Sequence, residues 1–136
     1  MKKGLFIALV MIAGIGCTPK LSADHDWGNQ RWTLIELKGV PVQLSGSRRD
    51  AYIEFLTREK RFSGNGGCNS TNGAYILDKK SSIHFTDVIS TKMSCPDIAF
   101  ENTFLATLNK VNRYEINGST LLLKDGNEIL LILERK

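Results

Sequence analysis

The stretch that decides the fold reads GNGGCNSTNGAY and occupies residues 64–75. It carries four glycines and three asparagines. Both residue types accept left-handed backbone conformations at low steric cost, so the stretch predicts tight turns and a close approach of neighbouring segments. A second stretch, TKMSC at residues 91–95, holds the other cysteine of the expected mature domain. We expect the two stretches to meet in the fold.

The composition is that of a single globular domain. The chain has 136 residues, of which 42% are hydrophobic and 24% charged, and a chain of this size can bury a core. Without residues 1–16, which contain two lysines and no acid, 16 basic residues stand against 14 acidic ones and the formal charge falls from +4 to +2. So small a charge gives no electrostatic case for nucleic acid as a partner. We interpret the clusters Arg48-Arg49, Arg58 to Arg61 and Lys79-Lys80 as solvated loop residues.

Residues 1–16 have the pattern of a secretory signal peptide. Two lysines precede an apolar and glycine run over residues 4–16, and Cys17 follows. The run of 13 residues is too short for a hydrocarbon core, which needs about 20. Gly14-Ile15-Gly16-Cys17 resembles a bacterial lipobox, with Gly14 where Leu is usual. We predict cleavage before Cys17 and its lipidation; the alternative is an ordinary signal peptide with an incidental cysteine.

The predicted lipid places the protein in a bacterial cell envelope. Several acyl chains on Cys17 would anchor it stably in a membrane, and Thr18 in the next position favours the periplasmic face of the outer membrane. Residues 17–30 show no hydrophobic period and are predicted to form a flexible tether. His25 is interpreted as a solvated residue of that tether, since no second ligand cluster lies nearby. The domain itself is expected at residues 31–136.

Alternating apolar residues predict short antiparallel strands in this domain, because short connections permit hairpins and not parallel crossovers. The expected strands are residues 31–38, 51–55, 61–64, 74–77, 83–85, 113–116, 120–124 and 128–135, with an extended piece from 88 to 93. Asn117-Gly118 and Asp125-Gly126 are typical of tight hairpin turns. The runs 121–123 and 129–133 are apolar on both faces, which favours a closed or strongly curled sheet.

One helix is predicted after Cys95. Ser94-Cys95-Pro96-Asp97 has the pattern of a capping box, with proline in the first turn. Apolar residues then recur at helical spacing, at Phe100, Phe104, Leu108 and Val111. We interpret this face as core packing. The predicted fold is α+β: a curled, barrel-like antiparallel β-sheet with one packed α-helix.

Short motifs spread over the domain carry a family resemblance. They are Gly67-Cys68-Asn69, Gly73-x-Tyr75, Ser90-Thr91-x-Met93-x-Cys95, Glu101, Phe104, Leu108, Tyr114 and Leu121-x-Leu123. In these positions the chain resembles the META domain, the family of heat-inducible HslJ-like lipoproteins, over about residues 28–136. The resemblance implies the same fold and a role in envelope or heat stress, with antibiotic tolerance or virulence in some relatives. It supplies no catalytic residue.

Cys68 and Cys95 are the residues with the clearest chemistry. Two cysteines in an exported domain more often form a disulfide than a metal or catalytic site, so we predict a Cys68–Cys95 bridge. The alternatives are reactive or free thiols, since a cysteine at a helix start can have a lowered pKa, and a metal site, which neither histidine is spaced to complete. Asn69 can either bond the backbone of its own turn or contact a partner, and the first is favoured.

Three classes of function remain open. The first is a non-enzymatic envelope lipoprotein that binds or supports an envelope component under stress. The second is an inhibitor or pilot-type module that captures one protein partner. The third and least favoured is a thiol-dependent redox enzyme, which would lack the usual partner residues. We expect no catalytic residue, cofactor or metal. The expected partners are a membrane, through lipid on Cys17, and an envelope protein, with no nucleic acid and with the oligomeric state left open.

Overall fold

The computed structural model describes residues 27–47 and 49–136. The predicted signal peptide, the lipidation site Cys17 and His25 lie outside these residues. The elements in chain order are β1 (Arg31–Leu37), β2 (Val40–Pro41), β3 (Tyr52–Leu56), β4 (Arg61–Asn65), β5 (Ser70–Ile76), β6 (His84–Ser90), α1 (Ile98–Leu108), β7 (Arg113–Asn117), β8 (Thr120–Asp125) and β9 (Glu128–Glu134).

The nine strands form one curled sheet. Its order is β6-β5-β4-β3-β1-β9-β8-β7, and β2 pairs with β1 off this path. The pairs of named strands are all antiparallel, as expected for strands joined by short turns. The sheet is not closed, but an isolated bridge between Ser82 and Arg113 joins its two edges at one point. The predicted α+β fold, a curled antiparallel sheet with one helix, is confirmed.

The inside of the curled sheet is the hydrophobic core. Period-two alternation along β1 and β3 turns Trp32, Leu34, Ile53 and Phe55 inward, and none of the four is measurably exposed. Helix α1 covers one end of the sheet with Phe104 and Leu108, both fully buried; we call this the helix end. Among the described residues, no helix has the length and apolar character needed to cross a membrane.

Trp27 covers the opposite end, which we call the tryptophan end. Its ring centroid lies 4.5 Å from Phe55, 4.9 Å from Tyr114 and 5.8 Å from Tyr75. The Trp32 indole donates a hydrogen bond to the Trp27 carbonyl at 3.0 Å. Trp27, which was predicted to lie in the flexible tether, is therefore packed against the domain. A single buried indole in a short segment produces no period, so the hydrophobic pattern does not reveal it.

Helix α1 begins at Ile98, so the predicted capping box is wrong. Asp97 is the N-cap and its side chain makes no capping hydrogen bond. Pro96 disfavours helical backbone at Cys95, and tertiary contacts described below hold residues 91–95 in an extended path. Strand β6 is also continuous where two extended pieces were predicted. Its register against β5 shifts between Asn72 and Ala74, and Asp87 takes a φ of 53°.

Candidate functional site

Asn69 lies at the centre of the helix end with 1% of its surface exposed. Its Oδ1 accepts hydrogen bonds from the Met93 N–H at 2.7 Å and the Thr91 hydroxyl at 2.9 Å. Its Nδ2 donates to the Met93 carbonyl at 3.3 Å and to Glu101 Oε1 at 2.8 Å. These bonds use all four positions of the amide. They join the turn at residues 66–69 to the extended segment and to α1.

Glu101 completes this network from the helix. The side chain is 2% exposed, and Oε2 accepts the Asn69 N–H at 2.7 Å and the Cys68 N–H at 3.2 Å. The ion pairs found among the described residues do not include Glu101. A buried carboxylate without a cation is costly unless hydrogen bonds replace its water, and here three N–H groups do so. The carboxylate therefore fixes the helix against the turn.

The glycines of the turn allow this close approach. A Cβ on Gly66 would lie 2.6 Å from Glu101 Cγ, too close for a real contact. Gly67 has a φ of 111°, which side chains rarely permit. A larger residue at Gly66 would push the turn away from Glu101, and one at Gly67 would strain the backbone and crowd Phe100.

A disulfide joins this turn covalently to the segment before α1. Cys68 and Cys95 are bridged, with their Cα atoms 6.3 Å apart. The predicted disulfide is therefore present in the structure. The bridge joins the turn to the segment before α1, and the Asn69–Glu101 network joins the turn to that segment and to α1. Together they make the N-terminal half of α1 a rigid wall.

That wall forms one side of a groove of about 870 Å³. The other side is the chain from the end of β1 to the start of β3. The lining is largely apolar and includes Val40, Pro41, Val42, Pro96, Ala99 and Phe100. Val40 is 65% exposed. Lys38 and Arg49 contribute charge on the sheet side and Asp97 on the helix side. Grooves of this size and lining are typical of binding sites.

The sheet side of the groove is ordered by Asp50. Its carboxylate accepts hydrogen bonds from the N–H groups of Ser45 and Gly46 and from the Ser45 hydroxyl, each at 2.8 Å. The bond from the Ser45 N–H is the main reason that the pKa of Asp50 lies below its usual value. Because these bonds lie within the chain, this wall of the groove needs no ligand to form.

A smaller opening of about 180 Å³ lies on the other side of α1. Asn69 and Glu101 contribute to its lining, as do Met93 and Ile98. Met93 is 59% exposed and Ile98 is 38% exposed. The helix end therefore carries two openings, one on each side of α1.

The residues singled out in the sequence are only partly brought together. Cys68, Asn69 and Cys95 meet at the helix end, whereas Cys17 lies outside the described residues. The Asn69 side chain bonds Met93, Thr91 and Glu101 across the fold rather than its own turn. His84 is exposed on β6. Among residues 27–47 and 49–136, no group of three His, Cys, Asp or Glu side chains is placed to hold a metal ion.

Glu101 was missed as a site residue, although a signal was available. It precedes Phe104 by three residues and Leu108 by seven, so helical periodicity puts its carboxylate on the buried face. A carboxylate on a buried face requires hydrogen-bond donors. Which residues donate these hydrogen bonds depends on the sheet, because Cys68 and Asn69 are more than thirty residues away from Glu101.

The fold has counterparts among solved structures. It matches the NMR structure of a protein from Burkholderia xenovorans with a TM-score of 0.63 at 21% identity, covering 82% of this chain and 84% of that one. It matches the crystal structure of a DUF4847 family protein from Bacteroides vulgatus with a TM-score of 0.57 at 16% identity, covering 79% and 93%. At such identities the likeness concerns the fold alone.

Sequence comparison identifies the family. No curated protein matches the chain. The family model described as META domain matches residues 25–136, a range that includes the disulfide, Asn69, Glu101 and both walls of the groove. It also includes Trp27, which is packed against the domain. The chain therefore belongs to the META domain family.

Proposed function

We propose that the protein is a non-enzymatic envelope lipoprotein whose META domain binds an envelope protein in the groove at the helix end. The observation that carries the proposal is the groove itself, with about 870 Å³ of volume and a largely apolar lining. Exposed apolar surface beside a formed cavity is typical of an interaction site.

The chemistry of the groove favours an apolar segment of a protein as its occupant. Val40 and Phe100 offer apolar contact from opposite walls, while Lys38 and Asp97 place opposite charges at the rim. A polypeptide can present apolar side chains and charges of both signs along one segment. The disulfide and the Glu101 hydrogen bonds hold the helix side in place, which lowers the entropic cost of binding.

The cellular setting proposed for this activity is the bacterial envelope. Lipid on Cys17 would hold the domain at the periplasmic face of the outer membrane, which is supported by the signal-peptide pattern and the lipobox resemblance. A role in envelope or heat stress, or in antibiotic tolerance, is supported by the family resemblance. In that setting the protein would support an envelope component that is damaged or assembled under stress.

An inhibitor or pilot-type module is the second candidate. The smaller opening favours it, because Met93 and Ile98 expose apolar surface beside a rigid, disulfide-bonded segment. One protein partner could be captured there without use of the larger groove. The thiol-dependent enzyme is less favoured, since Cys68 and Cys95 are bonded to each other in the described fold.

Site-specific photo-crosslinking in intact envelopes tests both candidates. A photoreactive residue would replace Val40 in the larger groove, Met93 at the smaller opening, or Ile129, which is 40% exposed on β9, lines neither opening and serves as the comparison position. The proposal expects a discrete protein adduct from position 40 that a second substitution in the groove, Ala99→Asp, abolishes. An adduct from position 93 alone would favour the pilot-type module. Discrete protein adducts from neither position would overturn both.

A further inference from the structure

Two charged segments that are distant in sequence lie side by side at the tryptophan end. One is the turn between β3 and β4, and the other follows β5. The Tyr75 N–H donates a hydrogen bond to the Lys60 carbonyl at 3.0 Å, and Arg61 pairs with Ala74 in the ladder between β4 and β5. The sheet therefore places the turn that holds residues 58–61 beside the end of β5, from which residues 76–80 follow. We call these two segments together the basic face.

The basic face has a net positive charge. Its five cations are Arg58, Lys60, Arg61, Lys79 and Lys80, all exposed, and its acids are Glu59 and Asp78, which leaves a formal charge of +3. The ion pairs found in the described part of the chain, Arg31–Glu54 and Lys124–Glu115, use none of the five cations. Ile76 and Leu77 add apolar surface, at 52% and 36% exposure.

The N-terminal segment enters the domain at this same end. The Asn29 N–H donates to the Phe55 carbonyl at 2.9 Å, and Gly28 lies against Thr57 in the turn before the basic residues. The segment that precedes Trp27, from Cys17 to Asp26, has ten residues. At about 3.3–3.6 Å per residue they span at most about 36 Å. A lipid on Cys17 would therefore keep the tryptophan end within that distance of a bilayer.

We propose that the basic face is a membrane-docking surface that binds the headgroups of anionic phospholipids. The nearness of the basic face to a bilayer rests on the lipid anchor of the proposed function, whereas its charge and its apolar side chains are properties of the fold. Attraction between exposed charges extends only about 8 Å at physiological ionic strength. The tether brings the face close, and the five cations then orient the domain, with Ile76 and Leu77 at the level of the headgroups.

This orientation has a consequence for the groove. Helix α1 and Trp27 cover opposite ends of the curled sheet, so a domain docked through the basic face turns its helix end away from the bilayer. The groove then faces the aqueous side of the membrane, where a protein partner can reach it.

Vesicle co-sedimentation of the unlipidated chain Thr18–Lys136 tests the docking surface without the lipid. This chain contains every described residue and so retains all the contacts given above; circular dichroism checks its folding. The vesicles are phosphatidylcholine alone or phosphatidylcholine mixed with phosphatidylglycerol. We expect binding to the mixed vesicles only. Each basic residue near an anionic surface contributes about 1 kcal/mol, so the loss of two lysine charges alone corresponds to about 30-fold weaker binding. Because Lys79→Glu and Lys80→Glu reverse these charges, the pair should weaken binding by at least that factor.

The matched control reverses two exposed lysines that flank α1 and lie outside the basic face, Lys92→Glu and Lys110→Glu. Both pairs of substitutions change the net charge equally, so a general charge effect would weaken binding in both. The proposal expects the control pair to bind as the parent chain does. The proposal is overturned if the parent chain does not bind the mixed vesicles or binds both kinds of vesicle equally. It is also overturned if the two pairs of substitutions weaken binding equally. The crosslink from position 40 is read separately in the lipidated protein, so each proposal can fail alone.

Discussion

Glu101→Gln is the substitution that tests most directly how the helix end is held. Glutamine keeps the size of the side chain but has one carbonyl oxygen in place of two. With that oxygen at the position of Oε2, it still accepts the N–H groups of Cys68 and Asn69. Its NH₂ group then meets Asn69 Nδ2, which is also a donor. Rotating the Asn69 amide is no remedy, because the Met93 N–H would then face an NH₂ group.

The expected decrease in the free energy of unfolding follows from the three hydrogen bonds that Glu101 accepts. One bond disappears and leaves a buried donor unpaired, at a cost of about 1–3 kcal/mol. The other two change from a carboxylate acceptor to an amide acceptor, which weakens each by about 1 kcal/mol. Burying a neutral amide in place of a carboxylate offsets part of this. We therefore expect the free energy of unfolding to fall by about 2–4 kcal/mol.

Urea unfolding of the oxidised proteins at neutral pH measures the change. The control is Glu128→Gln, which removes the charge of an exposed carboxylate at the start of β9 and should change stability by less than about 0.5 kcal/mol. If Glu101→Gln unfolds at the same urea concentration as the parent chain and the control, the network does not stabilise the fold and the reasoning is refuted.

Three further predictions concern residues outside that carboxylate. Tyr75→Phe should raise the free energy of unfolding by about 1 kcal/mol, because the buried hydroxyl has no hydrogen-bond partner among the described residues. Burial, and after it the charge of Glu59, raises the pKa of Tyr75. The contribution of this group to the free energy of unfolding is therefore lost as the pH rises from about 10, the ordinary tyrosine value, through the folded pKa. The phenylalanine variant should not show this loss of stability at alkaline pH. The pKa of Asp50 is lowered in the folded protein, so this carboxylate contributes stability above its unfolded pKa of about 3.9. That contribution is lost as the pH falls through the folded pKa. The thermal midpoint of Asp50→Asn should therefore vary less across acid pH than that of the parent chain. Replacing both Cys68 and Cys95 with serine should lower the free energy of unfolding by roughly 3–4 kcal/mol from loop entropy, with the circular dichroism of the fold retained; an unfolded double variant would show that the hydrogen-bond network cannot hold these segments alone.

Local patterns predicted much of the sheet. Gly118 and Gly126 have φ values of 60° and 57°, as the Asn-Gly and Asp-Gly turns require. Ala51, Ile53 and Phe55 face the core as their alternation predicts. The local pattern failed at Ser94, where a capping-box sequence is held outside the helix by the bonds of Asn69 to Met93. A cap contributes about 1 kcal/mol, less than the tertiary bonds and the disulfide that act on this segment.

The sequence by itself determined the alternation of strands, the hairpin turns, the apolar face of the helix and the two cysteines, because each depends on residues a few positions apart. The tertiary structure alone decided what surrounds Glu101, which residues cover the two ends of the sheet, and how the charges are grouped. Cys68 and Asn69 meet Glu101 from more than thirty residues away, and Lys60 meets the segment that leads to Lys79 only through the pairing of β4 with β5. Contacts of this kind depend on strand order and register, which no short stretch of sequence contains.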